Sequence, residues 1–290
     1  MTNSDCKAAP SQWTGMLMTL QGAGYLVQLL HEGSVTGPTV DAMFGAGNAS
    51  HLTLSTQPWR LITRLFMHAG WLHLLMNMAF LVVVGPRVEA VFGARAYLLL
   101  FLAGGCLAGL GSAVWGVGHA ARTNLLGQVR YEVIVSVGMS GALMAICGAL
   151  LMAKVLGDED QDPWLQQPEF TKSLWLPVAL TLAYGFINSA SDQAAHVIGL
   201  AGGAVLGVCL FTGLRSGSPL RRRASWAFSL VAPPLLVSLF VPLPAAQDLR
   251  VMIEEAARYE AYEQQSQGIT PTDTQVLRDM FTKAMQERAP

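Results

Sequence analysis

Long uncharged apolar runs alternate with short polar connections along the chain, and that alternation predicts its elements. A helix needs about 20 mainly apolar residues to cross the hydrocarbon core of a bilayer. Residues 97–118, 133–153, 173–190, 193–214 and 224–247 each form such a run with no Asp, Glu, Lys or Arg. Residues 65–86 are equally uncharged but hold His68, His73 and Asn77, and residues 14–30 are diluted by Gln21, Gln28 and three glycines. The pattern predicts seven spans, a group of six followed by one more that carries Pro233, Pro234, Pro242 and Pro244. It predicts an all-α polytopic membrane bundle.

The polar segments divide the chain further. Residues 1–13 form an N-terminal tail, 14–214 the six-helix core, 215–247 a basic linker with the seventh helix, and 248–290 a soluble tail. The connection over residues 31–65 mixes Gly, Pro and scattered apolar positions, which suits either a segment lying on the membrane interface or a solvated loop. In the tail, VMIEEAARYEAYEQQ reads as one amphipathic helix and PTDTQVLRDMFTKAM as a second, with Thr272 or Asp273 as its N-cap. A helical hairpin packed on itself or on the membrane surface is expected.

Composition agrees with a membrane protein. Of 290 residues, 52% are hydrophobic and 13% charged, against about 25% charged in soluble domains, and the mean hydropathy is +0.40. A net charge of −1 leaves no basic field for nucleic acid; the lipid bilayer is the expected surrounding. Cys106, Cys147 and Cys209 lie inside apolar runs without CxxC spacing, as small core hydrophobes do, and Cys6 stands alone near the start. The opening MTNSDCKAAPSQ lacks a basic stretch followed by an apolar one, so the first helix is expected to target the chain. With a cytoplasmic N-terminus, that side collects nine Lys and Arg, including the cluster Arg221, Arg222 and Arg223. The other side holds Arg60, Arg64, Arg122 and Arg130 before the tail, the asymmetry that orients spans. The tail then falls outside.

Polar side chains within spans are costly in lipid and mark functional positions. His73 and Asn77 are four apart and share a helix face. If one helix runs through residues 65–86, His68 lies about 140° around it from His73 and about 180° from Asn77, so it is expected as a loop anchor rather than a partner of both. His196 is followed by Gly199, Gly203 and Gly207, a stripe that lets another helix approach closely. Gly141, Ala145 and Gly148 make a matching stripe beside Ser140, which is clamped between Gly138 and Gly141. If the stripes face each other, His196 reaches Ser140 and can take its proton, the first half of nucleophilic catalysis. A transporter or proton relay built on His73 and His196 lacks an intramembrane carboxylate. The histidines offer no HExxH, and neither metal nor cofactor is expected.

GMSG at residues 138–141, AHVIG at 195–199 and HAGWLHLLMN at 68–77 together resemble the rhomboid intramembrane serine proteases, whose pattern is GxSG, AHxxG and HxxxxHxxxN on the fourth, sixth and second helices. Trp59 and Arg60 resemble the family's tryptophan–arginine pair, and Gly85, Glu89 and Gly93 its GxxxExxxG. The resemblance spans residues 59–213, in the family's order, and is of the bacterial type with an extra C-terminal helix. It implies Ser140 as nucleophile and His196 as base, then acid, of a dyad. It implies an oxyanion site of His73, Asn77 and the Ser140 N–H, with Gly138 and Gly141 allowing close approach. Asp192, four residues before His196, is expected as a solvated loop charge rather than a third member. Met144 stands where the family often has an aromatic stacked on the histidine, so a sulfur contact is expected instead. His68, Trp59, Arg60, Glu89, Gly199 and Gly203 are expected as structural supports. The implied substrates are single-span membrane proteins, cleaved at a site open to the outside of a bacterial inner membrane. The family caps that site with the loop before the sixth helix, here Asn188 to Gln193.

Overall fold

A computed structural model describes residues 12–32, 40–119, 121–123, 129–131, 135–158, 162–163, 165–188, 191–240, 249–266 and 269–288. Most of the N-terminal tail, with Cys6, and residues 241–248 at the end of the seventh predicted span lie outside these. In chain order the elements are α1 (Gln12–Glu32), α2 (Val40–Ala46), β1 (Asn48–Ala49), α3 (Ser50–Ser55), α4 (Arg60–Thr63) and α5 (Trp71–Phe92). Then come α6 (Ala94–His119), β2 (Ala121–Thr123), β3 (Val129–Tyr131), β4 (Val135–Ser136), α7 (Ser140–Leu156) and α8 (Pro168–Ile187). The chain continues through α9 (Gln193–Arg215), α10 (Pro219–Phe240), α11 (Leu249–Ser266) and α12 (Thr274–Arg288).

Helix α7 is the centre. Every residue from Gly141 to Leu150 is buried, and α5, α6, α8 and α9 pack around it. Among the described residues α5, α6, α8 and α9 are long and apolar enough to cross a membrane. At 17 residues, α7 is about 26 Å long, short of the roughly 30 Å of hydrocarbon. Enclosure makes the short helix tolerable, because backbone polar groups at that depth need protein or water around them.

Several windows shift at their edges, and the shifts matter. The run 133–153 is not one helix: Val135 and Ser136 pair as a strand with Ala49 and Asn48, and helix starts only at Ser140. The run 65–86 is also divided. Residues Arg64–Phe66 form a 3-10 turn, residues 67–70 are irregular, and α5 starts at Trp71. His68 is therefore off the helix, and its angular separation from His73 on a common helix does not apply. The three arginines at 221–223 are not a linker, because α10 begins at Pro219 and carries them in its first two turns.

The glycine stripes form the tightest packing in the bundle. A Cβ placed on Gly203 would lie 1.9 Å from the Ala145 carbonyl oxygen, one on Gly199 2.3 Å from that of Gly141, and one on Gly148 2.1 Å from that of Leu200. Real side-chain carbons would collide there, so α7 and α9 touch backbone to backbone. Gly93 ends α5 at φ +78° with its N–H on the Glu89 carbonyl, a conformation that glycine alone takes cheaply.

The first loop and the tail meet. Within the connection 31–65, α2, β1, α3 and α4 form short ordered elements, and α11 packs on α2 and α3 while α12 packs on α11. Asp273 is the N-cap of α12, its carboxylate accepting from the Gln275 N–H at 2.7 Å. Burial alone would raise the Glu254 carboxyl, but hydrogen bonds and charge from Arg278 and Arg258 hold it below the usual carboxylate range. The hairpin thus has its own polar seam.

Candidate active site

Ser140 is the first residue of α7, at the end of a segment held in non-helical form. The Gly138 N–H donates to the Arg64 carbonyl at 2.8 Å, and Gly138 has φ +103°, which favours glycine. The first N–H of the segment to close a helical bond is that of Leu143, to Met139 at 3.0 Å. The amides of Ser140, Gly141 and Ala142 therefore belong to the open N-terminal turn, where unpaired N–H groups and the helix dipole favour negative charge.

Ser140 Oγ lies 2.8 Å from Nε2 of His196, which is 5% exposed in the first turn of α9. The Ser140 hydroxyl can donate to that nitrogen if Nδ1 carries the ring proton. Nδ1 faces the side-chain oxygen of Gln193 at 3.3 Å, and this acceptor selects that tautomer. The Gln193 amide in turn donates to the Leu182 carbonyl of α8 at 2.7 Å. Asp192 does not reach the imidazole through a hydrogen bond; its carboxylate accepts from the Ala195 N–H at 2.9 Å as the N-cap of α9. Of the predicted cap loop, residues 189 and 190 lie outside the described residues.

Asn77 and His73 face the backbone at Gly138, two residues before Ser140. A Cβ on Gly138 would lie 2.7 Å from His73 Cε1, 3.0 Å from His73 Nε2 and 3.5 Å from Asn77 Nδ2. These three residues from α5 and the α7 approach thus converge. Asn77 is 4% exposed, and its amide nitrogen is buried without a hydrogen-bond partner, a donor held ready at a cost. The Ala69 N–H points to His73 Nδ1 at 3.4 Å, which leaves the proton on Nε2, the edge toward Gly138.

The supporting residues separate into those near the site and those elsewhere. His68 is fully buried, bracketed by the Gln28 side chain, which bonds its backbone N–H and carbonyl at 3.1 Å each. Its ring stands edge-on 5.2 Å from that of His73. Arg60 is buried, donating to the carbonyls of Phe44 and Gly47 and to Gln57, with Trp59 4.9 Å beneath its guanidinium. Gly141 packs against Ala108, where a Cβ would lie 2.6 Å from that methyl. Met144 is fully buried in the main hydrophobic core. Glu89 sits three turns along α5 from Asn77, away from the site.

Two residues of this neighbourhood escape the sequence reading. Arg64, expected as a charge on the outer side, is 1% exposed and donates to Ser136 Oγ at 3.0 Å and the Gly105 carbonyl at 3.3 Å. Its signal was the i, i+4 spacing from Arg60, which on a continuous helix puts two side chains on one face. Gln193 had only its position three residues before His196.

A family model described as the Rhomboid domain matches residues 55–213, more than half of the chain. The chain belongs to the rhomboid family. It is 26% identical over 228 residues to Rhomboid protease AarA of Providencia stuartii, covering 77% of this chain and 79% of that protein. It is 27% identical to RHOMBOID-like protein 6, mitochondrial, of Arabidopsis thaliana, covering 75% and 65%. It is 28% identical to Rhomboid protease GluP of Bacillus subtilis, covering 76% and 38%. The chain thus spans less than two thirds of the last two relatives. Rhomboids are intramembrane serine proteases, and this rhomboid, with its long apolar helices, is an integral multi-pass membrane protein of that serine-type endopeptidase class.

Proposed function

We propose that this rhomboid hydrolyses peptide bonds in or near the transmembrane segment of single-span membrane proteins through a Ser140–His196 dyad. The observation that carries the reading is the 2.8 Å separation of Ser140 Oγ and His196 Nε2 beside an open helix N-terminus. Ser140 Oγ attacks the scissile carbonyl carbon as His196 Nε2 takes the hydroxyl proton. The carbonyl oxygen becomes an oxyanion, received by the Ser140 N–H, Asn77 Nδ2–H and His73 Nε2–H. Collapse breaks the C–N bond, and His196 returns the proton to the leaving amine. Water, deprotonated by His196, then releases the acyl group and restores Ser140. Pairing of the imidazolium with Gln193 rather than a carboxylate suits a dyad.

The proposed setting is a bacterial inner membrane with the N-terminus in the cytoplasm and the site open to the outside. Six helices, α5 to α10, separate the first loop from the tail. Six crossings return the chain to the side it left, so the packing of α11 on α2 and α3 favours a seventh full span. The test of the chemistry is a transmembrane reporter in liposomes. The chain cuts it, and both Ser140→Ala and His196→Ala abolish the cut, with no effect of chelators.

A further inference from the structure

The tail is joined to the first loop by a buried carboxylate. Glu255 of α11 and His51 of α3 are each 1% exposed. One Glu255 oxygen accepts from the His51 N–H at 3.1 Å and lies 3.2 Å from its Nδ1, while the other accepts from the Leu52 N–H at 2.8 Å. Two cation–aromatic contacts flank this junction, Arg60 over Tyr259 at 5.2 Å and Arg258 over Phe44 at 6.0 Å. A polar helix merely resting on a surface does not bury a carboxyl group against backbone amides this way, since a polar group left there without partners is costly.

What Glu255 holds is directly connected to the segment before Ser140. His51 comes two residues after Ala49, and β1 pairs with β4 in the register Asn48 to Ser136 and Ala49 to Val135. Asn48 is further pinned by its amide, which donates to the Gly109 carbonyl at 2.9 Å. Ser136 receives Arg64, and two residues later the Gly138 N–H donates to the Arg64 carbonyl. Ser140 follows. A displacement of β1 is therefore passed by strand pairing to the backbone that sets the oxyanion site, with no intervening flexible side chain.

We propose that Glu255 is a positioning residue of the proposed protease: the C-terminal hairpin clamps the first loop through its carboxylate, and the β1–β4 pair carries that constraint to Gly138 and Ser140. The role rests on the serine-protease reading. It differs from simple support because it predicts a change in turnover within folded molecules.

The experiment uses the full chain in liposomes with a transmembrane reporter, and rates are expressed per molecule of Ser140 that an end-point fluorophosphonate reaction labels. Glu255→Ala lowers kcat by about ten- to a hundred-fold, the scale of a sub-ångström to ångström misplacement of reacting groups, while KM changes less than about two-fold. Glu255→Gln offers one oxygen to two amide donors and loses about three-fold. Arg278→Ala, which loosens α12 from Glu254 but leaves Glu255 in place, keeps the wild-type kcat. Should Glu255→Ala yield too little labelled protein, the Gln variant decides alone. Wild-type kcat in the Glu255 variants overturns the proposal while leaving the protease reading intact. The same loss in Arg278→Ala also overturns it, as general tail damage. A wild-type chain that neither cleaves nor takes the probe removes both.

Discussion

Asn77 is where the account is most exposed at the level of one residue. A buried amide nitrogen without a partner is a standing expense in a folded protein, and an oxyanion arriving beside Gly138 would repay it. Loss of one such donor costs about a hundred- to a thousand-fold in kcat. Asn77→Ala is therefore expected to lose turnover on that scale with little change in KM, measured with the liposome reporter; near-normal kcat would contradict its assignment. The Asn77–His73 pair was legible because i, i+4 spacing survives wherever the helix begins. The angular placement of His68 was not, because it depended on a helix start that Gly70 and the Arg64–Phe66 turn displace. Gln193 was illegible for a different reason: an amide at a helix start has no chemistry of its own until an imidazole stands next to it.

At the scale of elements, the contact between α7 and α9 decides whether a dyad exists at all. Small residues at spacings of three and four were readable in the sequence, and Gly148, Gly199, Gly203 and Gly207 leave no room for an added methyl along the seam. Gly203→Ala would place its Cβ on the Ala145 carbonyl, and such overpacking costs about 1–3 kcal/mol. Lower thermal stability together with slower cleavage is the expected outcome, read by melting in detergent and by the reporter. An unchanged melting temperature would mean that the helices are not in this contact. The start of α7 was illegible. Val133 to Met139 extends the run without a charged residue, so periodicity could not separate a strand and a glycine turn from more helix. That missed break is what sets Ser140 at a helix N-terminus.

For the whole molecule, the sequence indicated a bundle, a long first loop and a helical tail, but not that the last two join. Glu255 reads as one more charge on an amphipathic helix, and only the fold reveals its burial. The junction makes topology testable. In a chain whose four cysteines are replaced by alanine, cysteines introduced at the exposed Thr56 and Thr270 are expected to react with an impermeant maleimide from the same face of the membrane. Reaction from opposite faces would contradict seven spans. These features serve one claim, that the closely packed centre of the bundle turns Ser140 into a nucleophile. Side-by-side cleavage of a transmembrane reporter in liposomes by wild-type and Ser140→Ala protein tests it most directly. Cleavage by the wild type and none by Ser140→Ala is the predicted result; cleavage by Ser140→Ala at the wild-type rate would contradict it.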